Sequence, residues 1–209
     1  GKNVSTTIFT LNNVLVQVIL PKDFKIVQVN ARKKNLPYDN YANAGFFAKT
    51  SNTSVIPVGN LMIDGKVITD AKSQATWLNT AKHKLSTVIV NRDNTLELRS
   101  VDDLHSLKNA KYAISGIPVL RNGWNVIKEL KSEGYFGNEC YGTWHTFLGI
   151  RYDKLILVGA HCSYGRIPYL IDSLGLNDSI KLDGGGSFIM KSGDLCNATS
   201  ENRIIDNII

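Results

Sequence analysis

The chain has 209 residues, 43% hydrophobic and 20% charged, which suits one well-buried domain and excludes a disordered chain. A formal charge of +6 and a pI near 9.2 suit an anionic partner or substrate as well as plain solubility. The basic residues are scattered, so no stripe for a nucleic-acid duplex stands out.

No apolar run reaches the roughly 18–20 residues that span a bilayer, and no signal peptide is recognisable, which leaves localisation open. Cys140, Cys162 and Cys196 form an odd set without zinc spacing, compatible with one disulfide and a thiol or with three thiols. Neither a metal nor a cofactor is implied, and the oligomeric state is not legible.

In chain order, residues 6–20 are predicted as two β runs around Asn12-Asn13, stopped by Pro21. Residues 24–30 alternate and predict a third strand. A basic polar segment, Ala31 to Asn40, leads into Asn43-Ala44-Gly45-Phe46-Phe47, where small neighbours let the backbone pack closely around an amide. Residues 58–68 read as a hairpin on an Asp64-Gly65 turn. A polar stretch over 70–84 precedes another hairpin around Arg92-Asp93-Asn94. Leu104 to Lys111 is predicted as a short helix, and Ala113 to Leu120 as a strand broken by Gly-Ile-Pro and ending in the turn Asn122-Gly123.

Residues 128–142 read as a polar connection. Residues 144–152 and 155–161 read as paired strands, the second apolar enough to be buried on both faces. Arg166 to Leu174 is predicted as a helix with Pro168 in its first turn and Gly175 as its stop. Leu195 onward reads as a tail.

The stretch richest in chemistry is Leu182-Asp183-Gly184-Gly185-Gly186-Ser187. Three glycines between apolar runs suggest a backbone that turns tightly or lets a ligand approach, with a carboxylate at the strand end. The alternative is a Gly-rich turn whose Asp183 bonds its own loop amides. Neither P-loop nor dinucleotide spacing is present.

Four stretches, in this order, resemble the phosphodiester glycosidase domain family: residues 43–47, 59–66, 115–120 and 182–187. The resemblance covers roughly residues 40–192. It implies a single α+β domain over 1–209, with mixed or antiparallel sheets, a few helices and an active-site cleft at strand ends. It further implies hydrolysis of a glycosidic bond to a phosphodiester, with a phosphate-bearing small molecule or glycan as partner. Under it Asp183, His161 and Arg166 are the catalytic candidates. Asn43, Phe46, Asn60, His145, Gly184, Gly185, Gly186 and Ser187 are the substrate-binding ones.

Such a reaction needs one carboxylate at the anomeric carbon and cationic donors on the phosphate, a role for which arginine's fork is suited. The chain departs from the family pattern at His145-Thr146, where the family carries Arg-Thr, and at residues 160–166, where the family has an acidic residue and a longer loop. His145 could replace an arginine only when protonated. That departure keeps a second function open, a binding module that retains the pocket without turnover.

Overall fold

The computed structural model describes residues 9–10, 14–70, 85–121, 124–125, 142–176 and 178–209. The expected turns at 12–13 and 122–123, nearly all of the polar stretches at 70–84 and 128–142, and Cys140 lie outside them.

The strands, in chain order, are β1 (Phe9–Thr10), β2 (Val14–Ile19), β3 (Val27–Arg32), β4 (Asn40–Ala42), β5 (Phe47–Lys49), β6 (Val55–Pro57), β7 (Leu61–Ile63), β8 (Lys66–Thr69), β9 (Ser86–Asn91), β10 (Leu96–Arg99), β11 (Ala110–Arg121), β12 (Trp124–Asn125), β13 (Thr143–Arg151), β14 (Lys154–Cys162), β15 (Asp178–Lys181), β16 (Ile189–Ser192), β17 (Leu195–Ala198) and β18 (Ile204–Ile208). One α-helix, α1 (Ile167–Ser173), stands among the described residues. An 11-stranded sheet runs β1-β2-β14-β13-β15-β11-β7-β8, with β9, β10 and β12 attached through β11. Smaller sheets are β17-β16-β4, β18-β3 and β5-β6. Every strand pair among the described residues is antiparallel. The protein is therefore more β-rich than the expected α+β class.

The large sheet is covered on both faces, and this explains its apolar runs. Along β14, Ile156, Val158 and Ala160 pack with Ile167 and Ile171 of α1 and with Phe147. Leu155 and Leu157 turn the other way, toward Leu148, Ile180, Leu182, Phe188 and Met190. Successive side chains of a strand alternate faces, so only a two-sided core makes a continuous apolar strand favourable. Glycine is required at Gly159, where a Cβ would come within 2.8 Å of the Phe188 ring.

The Asp64-Gly65 hairpin forms as the sequence predicts, both residues having positive φ (50° and 77°), and Tyr112 donates to Asp64 Oδ1 at 2.9 Å. The helix ends at Gly175 with φ 69°. Residues 113–120 form part of one continuous strand, and Pro118 sits at a register shift between Pro118 and Leu120 instead of breaking it.

Two expectations are corrected. Residues 104–111 hold only a 3₁₀ turn, Leu104–Ser106, capped by Asp103, before β11 begins at Ala110. There Ala110 and Tyr112 are buried and Lys111 exposed, a two-residue period that favours strand over helix. Leu195 onward is no tail: β17 pairs with β16, and β18 pairs with β3.

Ile205 of β18 is 1% exposed in a small cluster with Tyr41, Ile189 and Ile208. Truncating a buried Ile costs about 2–5 kcal/mol, against about 0.5 for a residue in a solvated tail. Urea unfolding of Ile205→Ala should show the larger loss, and a midpoint unchanged from the parent would contradict the packing of β18.

Candidate active site

The site grows from the end of β15. Cross-strand register sets Lys181 beside Phe147 and Ile117, on the face carrying α1. His145, two residues before Phe147, shares that face by alternation and lies 5.9 Å from the Phe147 ring. Trp144 pairs with His161, and Trp144 stacks on Phe188 at 4.6 Å on the opposite face.

Past Lys181, Leu182 N–H donates to the Thr146 carbonyl (2.8 Å) and Asp183 N–H to the Ala44 carbonyl (3.1 Å). The chain then leaves the sheet as a 3₁₀ turn, Gly185–Ser187.

Each glycine of the loop answers a separate demand. A Cβ on Gly184 would lie 2.6 Å from the Trp144 carbonyl, so backbone meets backbone there. Gly185 has φ 56°, and a Cβ there would meet Thr143 Oγ1 at an ordinary 3.8 Å, so its demand is conformational. A Cβ on Gly186 would meet the side-chain ends of Glu201 and Arg203, and their ion pair would have to shift to admit it. The loop's carbonyls are held as well: Thr199 Oγ1 donates to Gly185 O (3.0 Å), and Lys33 Nζ donates to Gly186 O (2.8 Å).

Asp183 is half-buried, and its Oδ1 accepts from Gly184 N–H at 2.9 Å. Desolvation raises the pKa of its carboxyl group, against the opposing pull of Lys181, a Ser187 hydrogen bond, the Gly184 amide and Arg203. Ser187 is fully buried and also accepts from Arg203, at 3.4 Å.

The other sequence candidates differ in their placement. Asn43 and Asn60 are buried and committed to the protein. The Asn43 carboxamide donates to Asp183 O (2.6 Å) and accepts from Thr146 Oγ1 (3.0 Å) and Ile189 N–H (3.1 Å). Asn60 Nδ2 donates to Thr87 Oγ1 (3.0 Å) and the Val101 carbonyl (2.8 Å). Asn43 thus positions Asp183, whereas Asn60 braces β9 from the loop at the head of β7.

His145 is 1% exposed, and its Nε2 lies 3.1 Å from the Cys162 carbonyl. Burial, then Lys181, pushes its pKa down to about 3, so near neutral pH it is an uncharged group and not a cation. His161 and Arg166 are exposed, the first edge-on to Trp144 at 5.6 Å, the second at the end of the 3₁₀ turn that enters α1. Phe46 is half-buried beneath Lys181, whose Nζ is 5.7 Å from its ring centroid.

Lys181, Arg203 and Lys33 are the residues sequence reasoning missed. Lys181 is 7% exposed with its Nζ donating to Leu182 O at 3.0 Å. Lys33 is wholly buried, and desolvation followed by repulsion from Lys34 lowers its pKa to about 8. A basic residue in an apolar run was the available signal for Lys181. Nothing local marks the other two.

Among the described residues, Asp70, Asp103 and His105 approach one another closely enough to hold a metal. Asp103 Oδ1 caps the 3₁₀ turn through His105 N–H (2.9 Å), and His105 Nδ1 lies 3.3 Å and 3.5 Å from the two carboxylates, a sufficient account of the cluster. Cys162 and Cys196 are free thiols. No helix among the described residues is long and apolar enough to cross a membrane.

The buried imidazole has a consequence for acid stability. Unfolded, His145 takes up a proton near its ordinary 6.5; folded, only near 3. Between those values the unfolded state holds the extra proton, so stability should fall as pH is lowered, by at most about 1.4 kcal/mol per pH unit. Asp183 and Asp206, raised by burial, act with the opposite sign. Comparing stability at pH 6.5 and 4.5 in the parent and in His145→Gln isolates the imidazole. The variant should lose less, and equal acid losses would show that His145 is charged in the folded protein.

A family model for phosphodiester glycosidases matches residues 41–209. No curated protein sequence matches the chain significantly. Among solved structures, the zebrafish N-acetylglucosamine-1-phosphodiester alpha-N-acetylglucosaminidase catalytic domain, auto-inhibited by its pro-peptide, superposes with a TM-score of 0.70. It is 17% identical, with 99% of this chain and 81% of that one covered. A hypothetical protein from Synechocystis superposes with a TM-score of 0.59 at 12% identity, covering 97% of this chain and 60% of that one. At such identities these likenesses show a shared fold. The match over residues 41–209 shows more: the chain belongs to the phosphodiester glycosidase family.

Proposed function

We propose that the protein hydrolyses the glycosidic bond of a sugar linked through its anomeric oxygen to a phosphodiester, with Asp183 as the reacting carboxylate. The observation that carries the reading is the state of that group: a desolvated carboxyl on a rigid loop, oriented by the Gly184 amide and Ser187, with Lys181 and Arg203 acting on its charge. A raised pKa makes Asp183 a stronger base than a solvated aspartate. It assists water at the anomeric carbon, or attacks that carbon itself. The C–O bond breaks, and the electron pair leaves on the phosphate oxygen, an anion stable enough to need little protonation.

Lys181 and the neutral His145 shape the field beside the carboxylate. Asn43 fixes the peptide that carries it. The Gly184–Gly186 backbone forms the wall of the site, and Ser187 steadies the carboxylate from within. Phe46 supports Lys181, while Asn60 acts at a distance by bracing the sheet. His161 near the end of β14 and Arg166 on the turn that follows it, both exposed, are the groups that would meet the phosphate from solvent.

A binding module without turnover is the second reading. The observation favouring it is the neutral His145 at the position where the family carries arginine.

Hydrolysis of a sugar 1-phosphodiester in ¹⁸O-water decides between them. The label should enter the sugar's anomeric hydroxyl and not the phosphate, and Asp183→Asn, which keeps the shape but cannot act as base or nucleophile, should lower kcat by roughly 10³-fold or more. Label in the phosphate would overturn the bond assignment. Full turnover by a folded Asp183→Asn would overturn the residue assignment. Tight binding without any turnover in the parent would establish the binding module.

A further inference from the structure

A cavity adjoins the Asp183 loop through Arg203. It has a volume of about 230 Å³; its lining includes Arg32, Lys49 and Arg203, the hydrogen-bonding side chains of Ser51, Asn52, Ser54 and Asn202 and one carboxylate, Glu201, beside the apolar Val55 and Ile204. Arg203 is common to cavity and loop, because its guanidinium reaches Ser187 Oγ at 3.4 Å and Ser187 in turn bonds the Asp183 carboxylate.

The charges are unevenly matched. Glu201 is paired with Arg203 at 2.9 Å. Arg32 donates to the neutral Asn202 carbonyl at 2.8 Å, and Lys49 has no ion pair among the described residues. Arg203 Nε is buried with no hydrogen-bond partner, and only one of its terminal nitrogens meets a carboxylate, so its fork keeps donor capacity in reserve. Three cations against one carboxylate, with hydroxyl and amide donors between them, match a phosphate group. The volume falls below the roughly 300–1,000 Å³ of pockets that enclose whole ligands and suits one phosphate with its waters.

We propose that this cavity is a subsite for a second phosphate group of the substrate, beyond the one at the scissile bond, so that the protein selects substrates that carry a further phosphate. The proposal rests on the reading of the Asp183 loop as the reacting centre only for its place in the reaction; the binding itself needs no turnover.

The test uses the full chain carrying Asp183→Asn, titrated calorimetrically with inorganic pyrophosphate at low ionic strength. Binding should be measurable and should weaken with salt. Arg32→Gln with Lys49→Gln, two exposed positions, should lower the affinity about tenfold or more, as expected for lost charge-assisted contacts. Lys66→Gln, an exposed lysine on the distant Asp64-Gly65 hairpin, should leave it unchanged. If the double variant does not fold, Lys49→Gln alone carries the comparison.

No binding by the parent, equal binding by the Arg32/Lys49 variant, or the same loss in Lys66→Gln would each overturn the subsite. With Asp183 intact, a substrate bearing a second phosphate should show a lower KM than its singly charged analogue, and the double variant should erase that difference. Failure of hydrolysis with pyrophosphate binding intact would sink the activity and leave the subsite standing. Hydrolysis without pyrophosphate binding would do the reverse.

Discussion

One buried carboxamide, that of Asn43, holds the parts of the molecule in register. Its oxygen accepts from Thr146 on β13 and from the Ile189 amide at the start of β16, while its nitrogen donates to the Asp183 carbonyl. Its backbone bridges Ile208 and donates to the Ile189 carbonyl at 3.1 Å. No apolar side chain could replace it without leaving a buried amide, hydroxyl and carbonyl unsatisfied, each at a cost of about 1–3 kcal/mol. Asn207 completes the junction from the other end of the chain, its Oδ1 accepting from Gly45 N–H at 2.7 Å. The large sheet, the three-stranded sheet and the final strand therefore meet at residues 42–45. The loop that carries Asp183 hangs from that junction.

The regular part of this architecture was legible in the sequence because its side chains obey one period. Val88-Ile89-Val90, residues 144–152 and residues 155–161 announce strands by composition, and Asp64-Gly65 announces its turn. The missed elements are those where burial and polarity part company. β17 is almost wholly exposed, so it carries no amphipathic signal. β18 is buried through Asp206 and Asn207, which bond each other at 2.9 Å, and so breaks the pattern that marks a core strand.

The site follows the same rule. Asp183 and the glycines could be singled out by residue type alone. Lys33 could not: it lies in a basic run that reads as a solvated surface, yet its Nζ is fixed between Gly186 O and Thr199 Oγ1, partners more than 150 residues away. Lys181 was hidden for a different reason. In a strand with one solvated face, a lysine between Ile180 and Leu182 would point to water. Here the sheet is covered on both sides, so the same alternation sends it into the protein, where it adds to the burial that lowers the pKa of His145 and partly offsets the burial that raises that of the Cys162 thiol. The net charge of the chain gave no hint that buried cations would gather at one loop.

The three glycines show how this loop differs from one shaped by its ligand. In a phosphate-cradling loop the glycines clear space for the bound anion. Here Gly184 clears it for the Trp144 carbonyl and Gly186 for the Arg203–Glu201 pair, while Gly185 supplies a left-handed φ. Each requirement comes from the protein itself, and Lys33, Thr199 and Asn43 hold the peptide groups on either side. The carboxylate at the head of the loop is consequently set before any ligand arrives. Its orientation comes from Gly184 and Ser187, and its proton affinity from burial opposed by Lys181. Preorganisation of this kind is what lets a single carboxylate act without first reorganising its surroundings.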